Sequence, residues 1–388
     1  MAARPARPAA YAGAMDFALD DEQALIVQTV RRFVDKDLRA WAADADRAAA
    51  APERLFTLGP DLGFFVDALT EDDGGLLAGP YPHLTRALRG LELGRGCAGL
   101  AALLETNVEP ALAVARWGSP AAKAALLPAL AAGGLATTGR DARGRLTLTA
   151  DDDGLRLGGR IGPLPALARA SHVLLVAVLD SEPVLLLVAA DGPGVVREAL
   201  APSGWRAAAW GALTCTDVHV ASDHVLARGP AAAAAVTRVL TWYRASLAAR
   251  AAGVATAAME HARKYAAERV QFGQPIGQFE SIIRLRDDAD TGAAAVRLMA
   301  LYAAWLIDRA GDDDDDAALA VAADAASRAR VLAGDVVSRA TIDAVQILGG
   351  YGFVNDYPVE KLMRDARAFE QLLGDERHDR ILAIKGAS

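Results

Sequence analysis

The spacing of apolar residues changes twice along this 388-residue chain, and those two changes restrict its architecture more than any single motif does. From residue 17 to about 132, apolar side chains recur every three or four positions. Ile26, Val30, Phe33 and Val34 make the stripe of an opening amphipathic helix, with Asp20 and Asp21 available to its first turn. Gly74-Gly75, Gly94 and Gly96 punctuate the helices that follow, and Ser119-Pro120 supplies the N-cap and first-position residues of another. From 133 to about 228 the texture turns to short apolar or alternating runs (146–149, 173–178, 184–188 and 215–220) set apart by Gly, Pro and Asp. Helical spacing resumes near Ala231 and continues through 252–267, 279–303 and 317–348. The expected fold is α+β and mainly α: an N-terminal helical bundle over 15–132, a middle antiparallel β domain over 133–228 and a C-terminal four-helix bundle over 229–388. Residues 1–14 are expected to form a flexible tail, since they lack the apolar core of a signal segment.

Charge and composition remove several classes of function. A hydrophobic content of 53% excludes disorder, and a net charge of -8 with pI near 5.4 leaves no basic stripe for a nucleic acid. The alanine-rich run 231–236 is broken by Thr237 and Arg238, well short of the roughly 20 apolar residues a membrane helix requires. Cys97 and Cys215 are the only cysteines; they read as small core residues and fit a reducing cytoplasm. No metal site is expected: the six histidines show no paired ligand spacing, and the acidic run 312–316, without the alternation and bidentate Glu of a calcium loop, reads as a solvated connector. No serine sits in a nucleophile elbow.

Two stretches carry more specific information: Arg263-Lys-Tyr-Ala-Ala-Glu-Arg269-Val-Gln-Phe272-Gly-Gln-Pro-Ile-Gly-Gln-Phe279, and Gln346-Ile-Leu-Gly-Gly-Tyr-Gly-Phe-Val-Asn-Asp-Tyr-Pro-Val-Glu-Lys-Leu-Met-Arg-Asp-Ala-Arg367. Both resemble the acyl-CoA dehydrogenase family, and the resemblance extends from Phe17 to Lys385. It implies the same helix–β–helix architecture, FAD as cofactor, an acyl-CoA thioester as substrate and an electron-transfer flavoprotein as acceptor. In that family the Arg and Phe of the first motif and the Gln and paired Gly of the second reach across a dimer interface to the neighbour's FAD. Here those residues are Arg269, Phe272, Gln346, Gly349 and Gly350. The chemistry suits them, because a guanidinium makes charge-assisted hydrogen bonds to phosphate and glycines let backbone amides approach it. Gly349-Gly350-Tyr351-Gly352 is not a Rossmann fingerprint, since helical texture and no strand precedes it.

The departures from the family pattern are equally specific. Leu373 stands where the family has the Glu that removes the α-proton, and Asp375 replaces the following Thr. The loop that begins Thr-Glu-Pro is absent after Gly133, and Pro163 and Pro165 fall at the Trp and Thr that serve the flavin ring. Proline has no amide proton to offer there. Tyr243, just before Arg244, occupies the alternative base position of some family members, but a phenol of pKa near ~10 is a poor base at neutral pH. Glu370, one turn before Leu373, is the nearest substitute carboxylate. Trp205, Arg206 and Trp210 read as core or interface residues. Residues that serve a neighbour's FAD are kept while those serving the chain's own are lost, which implies a non-catalytic subunit that pairs with a homologous dehydrogenase subunit. Two alternatives remain open: a self-sufficient flavoenzyme with a relocated base or altered chemistry, and a flavin-free scaffold or acyl-carrier-binding protein.

Overall fold

Local capping chemistry starts the helices where the sequence offers it. The computed structural model describes residues 17–75, 82–142, 144–311, 315–354 and 356–372. Asp20 caps α1 (Asp21–Phe33): its carboxylate accepts from the Gln23 amide at 2.8 Å, and the Gln23 side chain accepts from the Asp20 amide at 3.3 Å. A π-helical turn at Val34–Leu38 leads into α2 (Arg39–Ala48), followed by α3 (Arg54–Asp61), α4 (Pro82–Gly96), α5 (Ala98–Leu104) and α6 (Val108–Trp117). Ser119 then caps α7 (Pro120–Ala131), accepting from the Ala122 amide at 3.0 Å with Pro120 in the first turn.

Eight strands form two four-stranded sheets, ordered β1-β4-β5-β8 and β2-β3-β7-β6. They are β1 (Ala136–Arg140), β2 (Leu146–Asp151), β3 (Gly154–Leu164), β4 (His172–Leu179), β5 (Glu182–Ala189), β6 (Val195–Ala199), β7 (Gly211–Ala221) and β8 (Val225–Arg228). Val173, Leu175 and Ala177 of β4 pack against the second sheet, while Leu174 and Val176 join the core beneath α6, α7 and the first bundle helix. Burial on both faces explains why this strand is a continuous apolar run rather than an alternation. One strand pair differs from the antiparallel expectation: β1 lies parallel to β4, because the intervening β2–β3 hairpin belongs to the other sheet.

Beyond the sheets, the described residues form α8 (Pro230–Glu268), α9 (Glu280–Ala310), α10 (Asp316–Leu348) and α11 (Val359–Gln371). Asp315 begins α10 by accepting from the Ala317 and Ala318 amides at 3.0 Å, so the end of the acidic run acts as a cap; Asp312, Asp313 and Asp314 lie outside the described residues. Alanines fill the seams, among them Ala248, Ala252 and Ala255 of α8 and Ala333, Ala340 and Ala344 of α10.

Gly94 is not a helix boundary but an interior residue of α4, set at the crossing with α8. A Cβ on Gly94 would lie 2.2 Å from the Arg250 carbonyl oxygen, and one on Gly253 would lie 2.1 Å from the Leu91 carbonyl oxygen. Backbone cannot yield as a flexible side chain does, so Gly253→Ala is expected to destabilise the chain by about 1–3 kcal/mol. Thermal unfolding of the purified variant checks this, and an unchanged melting temperature would contradict the contact. Among the described residues, no helix is long and apolar enough to cross a membrane.

Candidate functional site

The first motif of the sequence forms a projecting hairpin. The Arg269 amide closes α8 by bonding to the Tyr265 carbonyl at 2.9 Å, after which β9 (Val270–Gln271) and β10 (Gln274–Pro275) pair around a two-residue turn. Phe272 and Gly273 at its tip have φ of 52° and 82°. A two-residue turn with both φ values positive matches the twist of a hairpin, but it strains any residue carrying a Cβ. Phe272 tolerates that strain while 96% exposed; among the described residues its one ring contact is with Phe279, edge to face at 6.3 Å.

The second motif faces the same space. α10 ends in Gly349, whose φ of 58° suits glycine, and a 3-10 turn (Gly349–Phe353) follows. A Cβ added to Gly349 or Gly350 would meet nothing within 4 Å, so the backbone here borders open space. Arg269, Gly349 and Gly350 together line an open cavity of about 540 Å³, walled also by Tyr265, Tyr351 and Ile276. The Arg269 guanidinium makes no hydrogen bond or ion pair among the described residues. Tyr265, Tyr351 and Tyr357 touch one another edge to face or tilted, with centroids 5.8–5.9 Å apart, and brace the wall. Gln346 is exposed on the last turn of α10 but does not line the cavity, and Phe272 stands clear of it as well.

A free cation, unobstructed backbone and aromatic walls fit the phosphate and ring portions of a dinucleotide. Val270, Tyr351, Phe353 and Val354 add exposed apolar surface in the same chain segments, the kind of patch that marks an interface.

Expected chemistry around Tyr243 meets a different environment. Tyr243 lies inside α8, and burial pushes its phenol up to about 12, with Glu109 adding to the rise and Arg250 opposing it. Nearby, a buried ionic network joins α4, the α5–α6 segment and α8. Asp67 pairs with Arg86 at 3.1 Å and with Arg89 at 2.8 Å, while Glu105 pairs with Arg89 at 3.2 Å and stands 3.7 Å from Arg250. Burial alone would raise the Asp67 carboxyl, yet Arg89 and Arg86 hold it below the usual range. Glu109 is the opposite case: burial dominates and carries it to about 7, against the pull of Arg250. That value would suit a general base, but the void Glu109 lines offers only about 10 Å³. No acyl thioester fits there.

The buried Trp205 ring meets Phe369 edge-on at 4.8 Å and lies 5.8 Å below the Arg250 guanidinium. Its backbone amide donates to Asp365 at 2.7 Å, and its carbonyl accepts from Trp210 Nε1 at 2.9 Å. Trp205 and Trp210 thus tie the β domain to α11 as core residues. Pro163 and Pro165 lie at and just beyond the end of β3, and the Pro165 carbonyl accepts from Thr137 Oγ1 at 2.8 Å. Neither proline carries an amide proton. Glu370 falls in the last turn of α11 but its side chain lies outside the described residues, as does Leu373. No cluster of three or more His, Cys, Asp or Glu suited to a metal occurs among the described residues, and both cysteines are buried.

Comparison with known families settles the fold's membership. Residues 20–134 match the model of the acyl-CoA dehydrogenase N-terminal domain, and residues 233–385 that of the acyl-CoA dehydrogenase C-terminal domain. The chain belongs to the acyl-CoA dehydrogenase family. A cyclohex-1-ene-1-carbonyl-CoA dehydrogenase of Geobacter metallireducens is 29% identical over 380 residues, covering 94% of this chain and 97% of that one. A solved glutaryl-coenzyme A dehydrogenase in complex with glutaryl-CoA superposes with a TM-score of 0.84 at 27% identity, over 95% of this chain and 96% of that one. A glutaryl-CoA dehydrogenase from Mycobacterium smegmatis, solved in complex with FADH2, shares the fold at 20% identity and a TM-score of 0.82, with 95% of each chain covered.

Within this acyl-CoA dehydrogenase fold, sequence reading missed Glu109, the arginine network and the tyrosine wall. One signal was available: Arg86 and Arg89, three apart within a helical pattern, share one helical face among Leu and Ala, while Glu105 and Glu109 follow at the turn between α5 and α6. Residues spaced so regularly among Ala and Leu are drawn inward with them.

Proposed function

We propose that this chain is the non-catalytic subunit of a heteromeric, FAD-dependent acyl-CoA dehydrogenase. In this reading it clamps the dinucleotide end of a flavin whose ring is seated in a homologous partner subunit. The observation that carries the proposal is the contrast between two regions. At one, a strained and almost fully exposed Phe272 projects beside Arg269, whose guanidinium has no partner among the described residues, and the open Gly349-Gly350 backbone. At the other, Tyr243 is buried in one apolar cluster with Trp205 and Phe369, beside Arg250 and Glu109.

Each residue then has a physical task. Arg269 neutralises pyrophosphate charge and fixes its orientation, while the backbone at Gly349 and Gly350 allows close approach without a side chain in the way. Phe272 packs on the adenine, and Gln346 borders it with a polar edge. Bound FAD supplies the hydride acceptor for α,β-desaturation of an acyl thioester. The partner contributes the base and the acyl pocket, and an electron-transfer flavoprotein collects the electrons. Tyr243, held protonated by burial, takes no proton at neutral pH.

Co-expression with a homologous acyl-CoA dehydrogenase subunit that retains the catalytic Glu tests the proposal. The chain alone is expected to purify colourless and inactive; the pair is expected to be yellow, with one FAD for every two subunits. Stoichiometric FAD in the isolated chain would overturn this reading.

A further inference from the structure

The void between α4, α6 and α8 has a size and a lining that specify an occupant. Its volume of about 10 Å³ admits the centre of one small molecule and nothing larger. A cavity needs about 10–15 Å³ on that measure to hold one water, and the water needs two to four polar partners. Arg86 supplies the first partner. Its Nε and Nη2 are held by Asp67, at 3.1 Å to the carboxylate and 2.9 Å to the carbonyl, while Nη1 is buried and finds no acceptor. A buried donor left without an acceptor costs about 1–3 kcal/mol.

Other polar groups complete the wall. Glu105 Oε1 accepts from Arg89 at 3.2 Å, whereas its Oε2 accepts from Ser246 Oγ at 3.4 Å and stands 3.7 Å from Arg250, which leaves acceptor capacity, and Glu109 contributes a second carboxyl group. These partners decide the chemistry of the occupant. An anion would face two carboxyl groups, a cation would face the Arg86 guanidinium, and an apolar molecule would leave Nη1 bare. Only a molecule that both donates and accepts satisfies the set.

We propose that a single internal water molecule fills this void, accepting from Arg86 Nη1 and donating to the carboxyl groups of Glu105 and Glu109. Such a water also suits both protonation states of Glu109, since it donates to the carboxylate and accepts from the neutral acid by rotating in place. The site is independent of the subunit pairing proposed above, and the isolated full chain suffices to test it.

A crystal of the full chain soaked in bromide gives the direct test. The expected result is a density peak about 2.7–3.2 Å from Arg86 Nη1 without anomalous signal. A bromide peak there, or an empty void, overturns the proposal. A second measurement does not depend on crystals: residue 109 carries no charge at any pH in either variant, but Glu109→Gln retains an acceptor for the water and Glu109→Leu removes it. The Leu variant is expected to melt at least about 2 °C below the Gln variant. Equal melting, or a more stable Leu variant, counts against a bridging water.

Discussion

Replacing Arg269 by Ala is expected to weaken FAD binding by the assembled pair roughly 10- to 150-fold, the equivalent of losing one charged hydrogen-bonding partner worth about 1.5–3 kcal/mol. The expectation follows from what Arg269 does not do within its own chain: it is exposed and makes no side-chain bond there among the described residues. Its removal therefore leaves the melting temperature of the isolated chain within the small range typical of surface substitutions. Arg269→Lys keeps the charge but not the planar fork and should fall between the two. Titration of the flavin-depleted pair with FAD, followed by flavin fluorescence, measures the effect. Unchanged affinity in the Ala variant would remove the clamp from the proposed function.

Glu109→Gln is expected to stabilise the chain at pH 8 and leave it nearly unchanged at pH 4.5. Burial raises the Glu109 carboxyl from 4.5 to about 7, so the folded state holds a proton that the unfolded chain releases earlier. An acid raised in this direction gives its full contribution below the unfolded value, and stability is lost as the pH climbs through the folded one. At about 1.4 kcal/mol per pH unit, the cost of ionising Glu109 reaches roughly 3 kcal/mol above pH 7. The neutral amide avoids it. Burial lowers the pKa of His172 and of His261, and other groups also respond to pH, so the diagnostic is the difference between variant and parent at each pH. A difference independent of pH would mean that Glu109 does not ionise in this window.

Both predictions rest on contrasts that the primary structure reveals unequally. The three-part architecture was legible because it depends on short-range periodicity: stripes such as Ile26, Val30 and Phe33, and the Ser119-Pro120 cap, are set by residues within a few positions of one another. The parallel pairing of β1 with β4 was not, since it follows from a hairpin joining a different sheet, and the helix boundary read at Gly94 is a backbone crossing with α8 far along the chain. Residue identity nominated Arg269, Phe272, Gln346, Gly349 and Gly350. Tertiary geometry then distributed them, with Arg269 and the two glycines on one cavity and Phe272 and Gln346 beside it.

Residue order alone specifies the succession of helices and strands, the family, and the residue types that depart from the family's pattern. Which charges are buried, that Arg269 stands exposed, and that Tyr243 is enclosed in the core emerge only from the folded arrangement. The physical reason is one of range. Helix and strand patterns are written in contacts a few residues apart, whereas desolvation, ion pairing and cavity volume arise where distant segments such as Asp67, Glu109 and Arg250 are brought together.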